Sequence, residues 1–167
     1  MINKNRNVKA GLVFLALLLA WSVFIFARSS KTAEESSEES AHIITLVATI
    51  IDHEFEKLPP DEKLEYIDSL QFYVRKFAHF SVYAVLGMLG AATAHFFGLH
   101  KLTGLVYSVI FAASDEIHQY FVPGRSCELR DFLIDTAGAV FGVAFAAFLC
   151  FLLNAAKRKR KSKMRGM

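Results

Sequence analysis

The residues that could do chemistry are ionisable side chains set inside or beside long apolar runs. Asp115, Glu116, His118 and Gln119 stand in the stretch SDEIHQYFVPGR, with Arg125 closing it. Arg75, Lys76 and His79 open another apolar run, and Asp131 and Asp135 open a third. An ionised group at the bilayer centre costs about 2.5–3.5 kcal/mol on insertion scales, so it persists where it pairs or works. The residue types suggest two kinds of work. An imidazole oriented by a carboxylate can act as general base or nucleophile. His118 or His79 fits that role, with Asp115, Glu116 or Asp135 beside it. A cluster of Arg75, Lys76 and Arg125 can instead hold a phosphate or carboxylate, the guanidinium in bidentate fashion. Gln119 and Asp131 would complete such a binding set. A purely structural network, in which carboxylates neutralise Arg and His, is the alternative to both.

Helical spacing makes these residues neighbours. Tyr83 follows His79 by four residues, Asp135 follows Asp131 by four, and Asp115, His118 and Gln119 share one stripe. Glu116 sits about 100° round from that stripe. The stripe of the last run continues through Gly138 and Gly142, a small-xxx-small seam that lets another helix approach closely. Pro123-Gly124 suits the centre of a type II turn, which would fold Arg125 back toward the cluster. Ser126 is a candidate N-cap for the helix after it.

The elements that must position them are apolar helices. Residues 10–27, 77–97, 102–122 and 132–153 are each long enough, at 1.5 Å per residue, to cross or nearly cross about 30 Å of hydrocarbon. The expected fold is all-α: a polytopic membrane protein with a four-transmembrane-helix bundle and an outer amphipathic helical loop, in a single domain of 167 residues. A first run with Lys4, Arg6 and Lys9 before it resembles a signal peptide, but its apolar core exceeds the usual length and favours an uncleaved anchor. The loop of residues 28–75 opens with RSSKTAEESSEES, which reads as solvated low-complexity sequence. Two short amphipathic helices are predicted after it, one on each side of Pro59-Pro60.

Charge sets the direction. Seven of the 19 basic residues lie between Lys157 and Arg165, and 11 of the 16 acids between Glu34 and Asp68. Lys4, Arg6, Lys9, Lys101 and the basic tail of residues 155–167 fall on one side of an even-numbered bundle. The positive-inside rule makes that side, with both termini, cytoplasmic. The start of span two, the end of span three and the start of span four then meet at the outer face. Such a tail contacts anionic lipid headgroups rather than nucleic acid. Cys127 and Cys150, about 34 Å apart if on one helix, cannot pair within the chain.

RKFAHFSVYAVLG at Arg75 to Gly87 and SDEIHQYFVPGRSCELRDFLIDTAGAVFG at Ser114 to Gly142 closely resemble the VanZ-like family. The resemblance covers nearly the whole chain apart from the basic tail. It implies a small multi-pass protein of the bacterial plasma membrane, in a family whose founding member is linked to reduced susceptibility to the glycopeptide teicoplanin. It implies no particular reaction. The motif positions carried over are Arg75, Lys76, His79, Asp115, Glu116, His118, Gln119, Arg125, Asp131 and Asp135.

Two functions are expected on these residues. One is binding of an anionic lipid headgroup, a lipid-linked cell-wall precursor or a glycopeptide at the outer polar site. The other is an intramembrane hydrolase or transferase acting on a lipid-linked phosphate. No cofactor is expected. A metal would need His79, His118 and a carboxylate together, because D-E-x-H-Q lacks the second helical ligand of H-E-x-x-H; none is expected.

Overall fold

The computed structural model describes residues 7–100 and 102–165, apart from the side chains of 159–163 and 165. The flanking Lys4, Arg6 and Lys101 lie outside the described residues. Five α-helices follow one another: α1 (Val8–Ser29), α2 (Ala33–Ile51), α3 (Pro60–Phe97), α4 (Leu102–Gln119) and α5 (Leu129–Arg165). A 3-10 turn at Phe55–Lys57 joins α2 to α3, and no strand occurs among the described residues. The chain is therefore all-helical, as expected.

Three of these helices are long and apolar enough to cross a membrane: Val8–Ser29, Pro60–Phe97 and Leu129–Arg158. α4 has 18 residues and carries Asp115 and Glu116 near its end, which dilutes its apolar character. Large apolar side chains stand on the outside of the bundle, Val23, Phe141 and Phe151 among them. Patches of that kind are a liability in water but suit a lipid environment.

α3 is the central helix, packed against α5, α1, α4 and α2. Its contact with α5 is close because of the glycine seam. A Cβ on Gly142 would stand 1.9 Å from the Ala84 carbonyl oxygen, and one on Gly138 2.3 Å from that of Phe80. Neither position has room for a side chain, so the two backbones touch. α1 is pinned to α3 by Trp21, whose indole donates to the Val82 carbonyl at 2.9 Å. Ser22 and Tyr107 share a hydrogen bond of 2.8 Å that ties α1 to α4.

Two expectations about residues 28–75 change. The Ser/Glu stretch is helical from Ala33 onward. Thr32 and Glu35 form a capping box, each side chain satisfying a backbone N–H of the first turn. Glu39, one turn further on, takes Arg28 and Lys31 as partners. The second amphipathic segment is not a separate helix: α3 runs unbroken through 38 residues, about 57 Å at 1.5 Å each. It starts at Pro60, where the missing N–H costs nothing, and contains no later proline to stop it. α5 likewise continues through the basic tail to Arg165.

Candidate functional site

The C-terminal ends of α1 and α4, the middle of α3 and the N-terminal end of α5 meet at one end of the bundle. α2 and the α4–α5 turn cover them. That turn is built as the sequence predicts: Gly124 has φ 73°, and the Arg125 N–H donates to the Val122 carbonyl at 3.1 Å. The Pro123 carbonyl accepts from the Ala33 N–H at 3.3 Å, so the start of α2 is fastened to the same turn. Ser126 does not cap α5. The helix starts later, its first turn closes on the Glu128 carbonyl, and the Ser126 hydroxyl bonds the Glu128 carboxylate at 3.1 Å.

Most of the predicted residues converge here, but in separate subsets. Lys76 and Asp131 form a close ion pair whose side chains are only 16% and 10% exposed. Lys76 also lies over the Phe72 ring. His79 Nδ1 stands 3.2 Å from Asp135 Oδ1, and Asp135 is wholly buried. Glu116 accepts the Glu128 N–H at 2.9 Å, which ties the end of α4 to the start of α5. Gln119 donates to Asp115 at 3.3 Å and accepts from Arg125 at 3.5 Å. Arg125 Nε donates to the Lys31 carbonyl at 3.2 Å. His118 stands apart. It bonds the Ser30 hydroxyl at 3.1 Å and stacks on Phe26 at 4.3 Å, on the α1 side.

A cavity of about 340 Å³ opens among these groups. Arg28, Arg75 and Arg125 bring three guanidinium groups to it, and His79, Tyr83 and Asp115 form its buried side. Arg28 is held by the two hydrogen bonds it donates to the Glu39 carboxylate. Arg28, then Lys31, hold the Glu39 carboxyl down to about 2. Among the described residues at this end, Lys31, Lys76 and Arg130 also meet a carboxylate. Arg75 and Arg125 do not. Burial first, and the neighbouring Arg75 second, lower the pKa of Arg125. Two like charges thus sit together without a bonded counter-ion. An adjoining cavity of about 300 Å³ is also lined by both arginines.

Several enclosed polar atoms here lack a partner: Ser29 Oγ, Tyr83 Oη, Asp115 Oδ1, Glu116 Oε1, Asp135 Oδ2 and Thr136 Oγ1. Buried polar groups are ordinarily hydrogen-bonded, so this concentration at one end is unusual. Among the described residues no three His, Cys, Asp or Glu side chains converge to hold a metal. The contributions of Arg28 and Ser29 went unread in the sequence, where the end of the first apolar run looked like a plain anchor. The Arg28–Glu39 spacing across a short capped link was the available signal.

These features define a helical membrane protein with a polar, partly open chamber at one end of its bundle. A family model described as VanZ/LLP1 matches residues 14–154, and the chain belongs to that family. Neither the curated proteins nor the solved structures gave a significant match.

Proposed function

We propose that this VanZ-like protein binds an anionic envelope lipid or lipid-linked cell-wall precursor at the polar end, and thereby reduces susceptibility to glycopeptides such as teicoplanin. In this reading the chain is a multi-pass protein of the bacterial plasma membrane. α4 also crosses the membrane, as the third of four spans, the termini are cytoplasmic and the polar end faces outward. The supporting observation is the pair Arg75 and Arg125, set on one cavity with no carboxylate bonded to either among the described residues. A phosphate would supply the missing charge, with guanidinium forks matching its oxygens. Lys76 and Asp131, predicted as ligand contacts, neutralise each other and act as supports.

A second reading rests on a different observation. His79 lines the cavity and is bonded to the buried Asp135, an imidazole–carboxylate arrangement suited to general-base chemistry on a lipid-linked phosphate. His118, bonded to Ser30, is a weaker candidate for that role.

The test is teicoplanin susceptibility of a sensitive Gram-positive host expressing wild type, Arg75→Ala, Asp135→Ala or His118→Ala at matched membrane abundance. Protection by wild type and His118→Ala, lost in Arg75→Ala, is the expected pattern. Equal protection by Arg75→Ala would remove the binding reading. Protection lost in Asp135→Ala while lipid binding persists would favour the enzymatic one.

A further inference from the structure

The cavity is chemically two-sided, and that narrows what can fill it. Toward its mouth lie the half-buried guanidinium groups of Arg75 and Arg125. On its buried side lie Asp115, 3% exposed, and Tyr83, 0% exposed. Asp115 gives one oxygen to Gln119, and its other oxygen is enclosed with no partner. Ser29 Oγ and Tyr83 Oη, on the same cavity, are also unpartnered. The Tyr83 hydroxyl lies beside Asp115 and has one proton to give, so a free phosphate that took the arginines and both hydroxyls would leave the Asp115 oxygen without a donor. An occupant that also carries an O–H or N–H donor would satisfy every one of these groups.

The wall between α1 and α3 adds a second constraint. It is apolar, formed by Phe24, Ile25, Ala78 and Val82, with Phe24 and Ala78 exposed at the rim. The cavity is therefore continuous with the apolar flank of the bundle, where an acyl chain can lie.

We propose that the cavity takes a phosphodiester lipid whose headgroup ends in a hydroxyl or ammonium donor. The phosphate pairs with Arg75 and Arg125, the terminal donor reaches Asp115, and the acyl chain leaves between α1 and α3. This rests on the anion-binding reading above and adds the headgroup chemistry to it.

The probe is built in. Trp21 is the one tryptophan in the chain, and its indole is bonded to the carbonyl of Val82, a wall residue. Full-length protein in detergent micelles is titrated with phosphatidylethanolamine, phosphatidylglycerol and phosphatidylcholine, reading Trp21 emission and the thermal midpoint. Phosphatidylethanolamine and phosphatidylcholine carry the same net charge and differ in N–H donors, so they are the decisive pair. The two donor-bearing lipids are expected to bind about tenfold more tightly than phosphatidylcholine, the scale of one hydrogen bond to a charged group. Asp115→Leu is expected to abolish that preference, and Arg75→Ala to weaken all three lipids.

Equal binding of the three lipids to wild type, still weakened by Arg75→Ala, would overturn the headgroup proposal and leave the anion site standing. A preference that survives in Asp115→Leu would overturn the role of Asp115. No binding of any lipid would overturn both readings. If Asp115→Leu does not fold, the wild-type ranking decides alone.

Discussion

The two ends of the bundle are made by the same helices and differ in what they enclose. At the end opposite the polar chamber, a cavity of about 410 Å³ lies among Phe14, Met88, Phe96 and Leu149, with His95, Asn154 and Lys157 as its polar lining among the described residues. Stacked Phe14 and Phe96 rings, 5.2 Å apart, brace α1 against α3 there. The polar end has a cavity of similar size, but arginines, a buried aspartate and a histidine line it. An apolar cleft in a membrane protein can be filled by lipid tails at little cost. A chamber with guanidinium groups that meet no carboxylate among the described residues and with enclosed carboxylates is costly to maintain. The contrast is why the proposed binding site is placed at the polar end.

The comparison breaks most visibly at the seam that serves both ends. Gly142→Leu places side-chain atoms where the Ala84 carbonyl now lies, so α3 and α5 must separate. Overpacking costs about 1–3 kcal/mol or more, and a loss of folded protein on size-exclusion chromatography is expected. Asp135→Leu comes next. It leaves His79 without its buried partner, and the thermal midpoint in detergent should fall by an amount consistent with about 1–3 kcal/mol. Arg75→Ala should weaken lipid binding about tenfold or more while leaving the midpoint nearly unchanged, because Arg75 makes no ion pair among the described residues. A midpoint that fell as far as in Asp135→Leu would show that Arg75 is structural.

Smaller effects should mark the cover. Glu39 has its carboxyl lowered from 4.5 to about 2, chiefly by Arg28. A depressed carboxylate stabilises the fold above its unfolded value and loses that contribution as pH falls through the folded one. α2 should therefore loosen on Arg28 between about pH 4.5 and 2, seen as faster amide exchange over Ala33–Ile51. Glu39→Gln should abolish that pH dependence. His118→Ala, remote from the chamber's carboxylates, should change lipid binding by less than about twofold.

Much of this was legible in the sequence because membrane spans and intramembrane charges are strong signals. The apolar runs gave the helices, antiparallel order brought Arg75–His79, Asp115–Gln119 and Asp131–Asp135 together, and Pro123-Gly124 announced the turn. What escaped was what composition disguises. AEESSEES has Ala33 as its one apolar residue, yet a capping box and the Glu39 contacts make it helical. The change from amphipathic to apolar sequence near Arg75 looked like a boundary, although nothing there breaks a helix. The wheel put His118 with Asp115 and Gln119, but it could not locate the centre of the buried arc. Burial of Asp115, Glu116 and Gln119 puts that centre between them, which leaves His118 about 110° away and facing α1.

The central claim is that Arg75 and Arg125 together hold a lipid phosphate. Native mass spectrometry of the full-length protein, extracted in mild detergent, tests it most directly. Wild type should retain a bound phospholipid that the Arg75→Ala, Arg125→Ala double variant has lost at equal folded yield. The same lipid, retained to the same extent by both, would contradict the account.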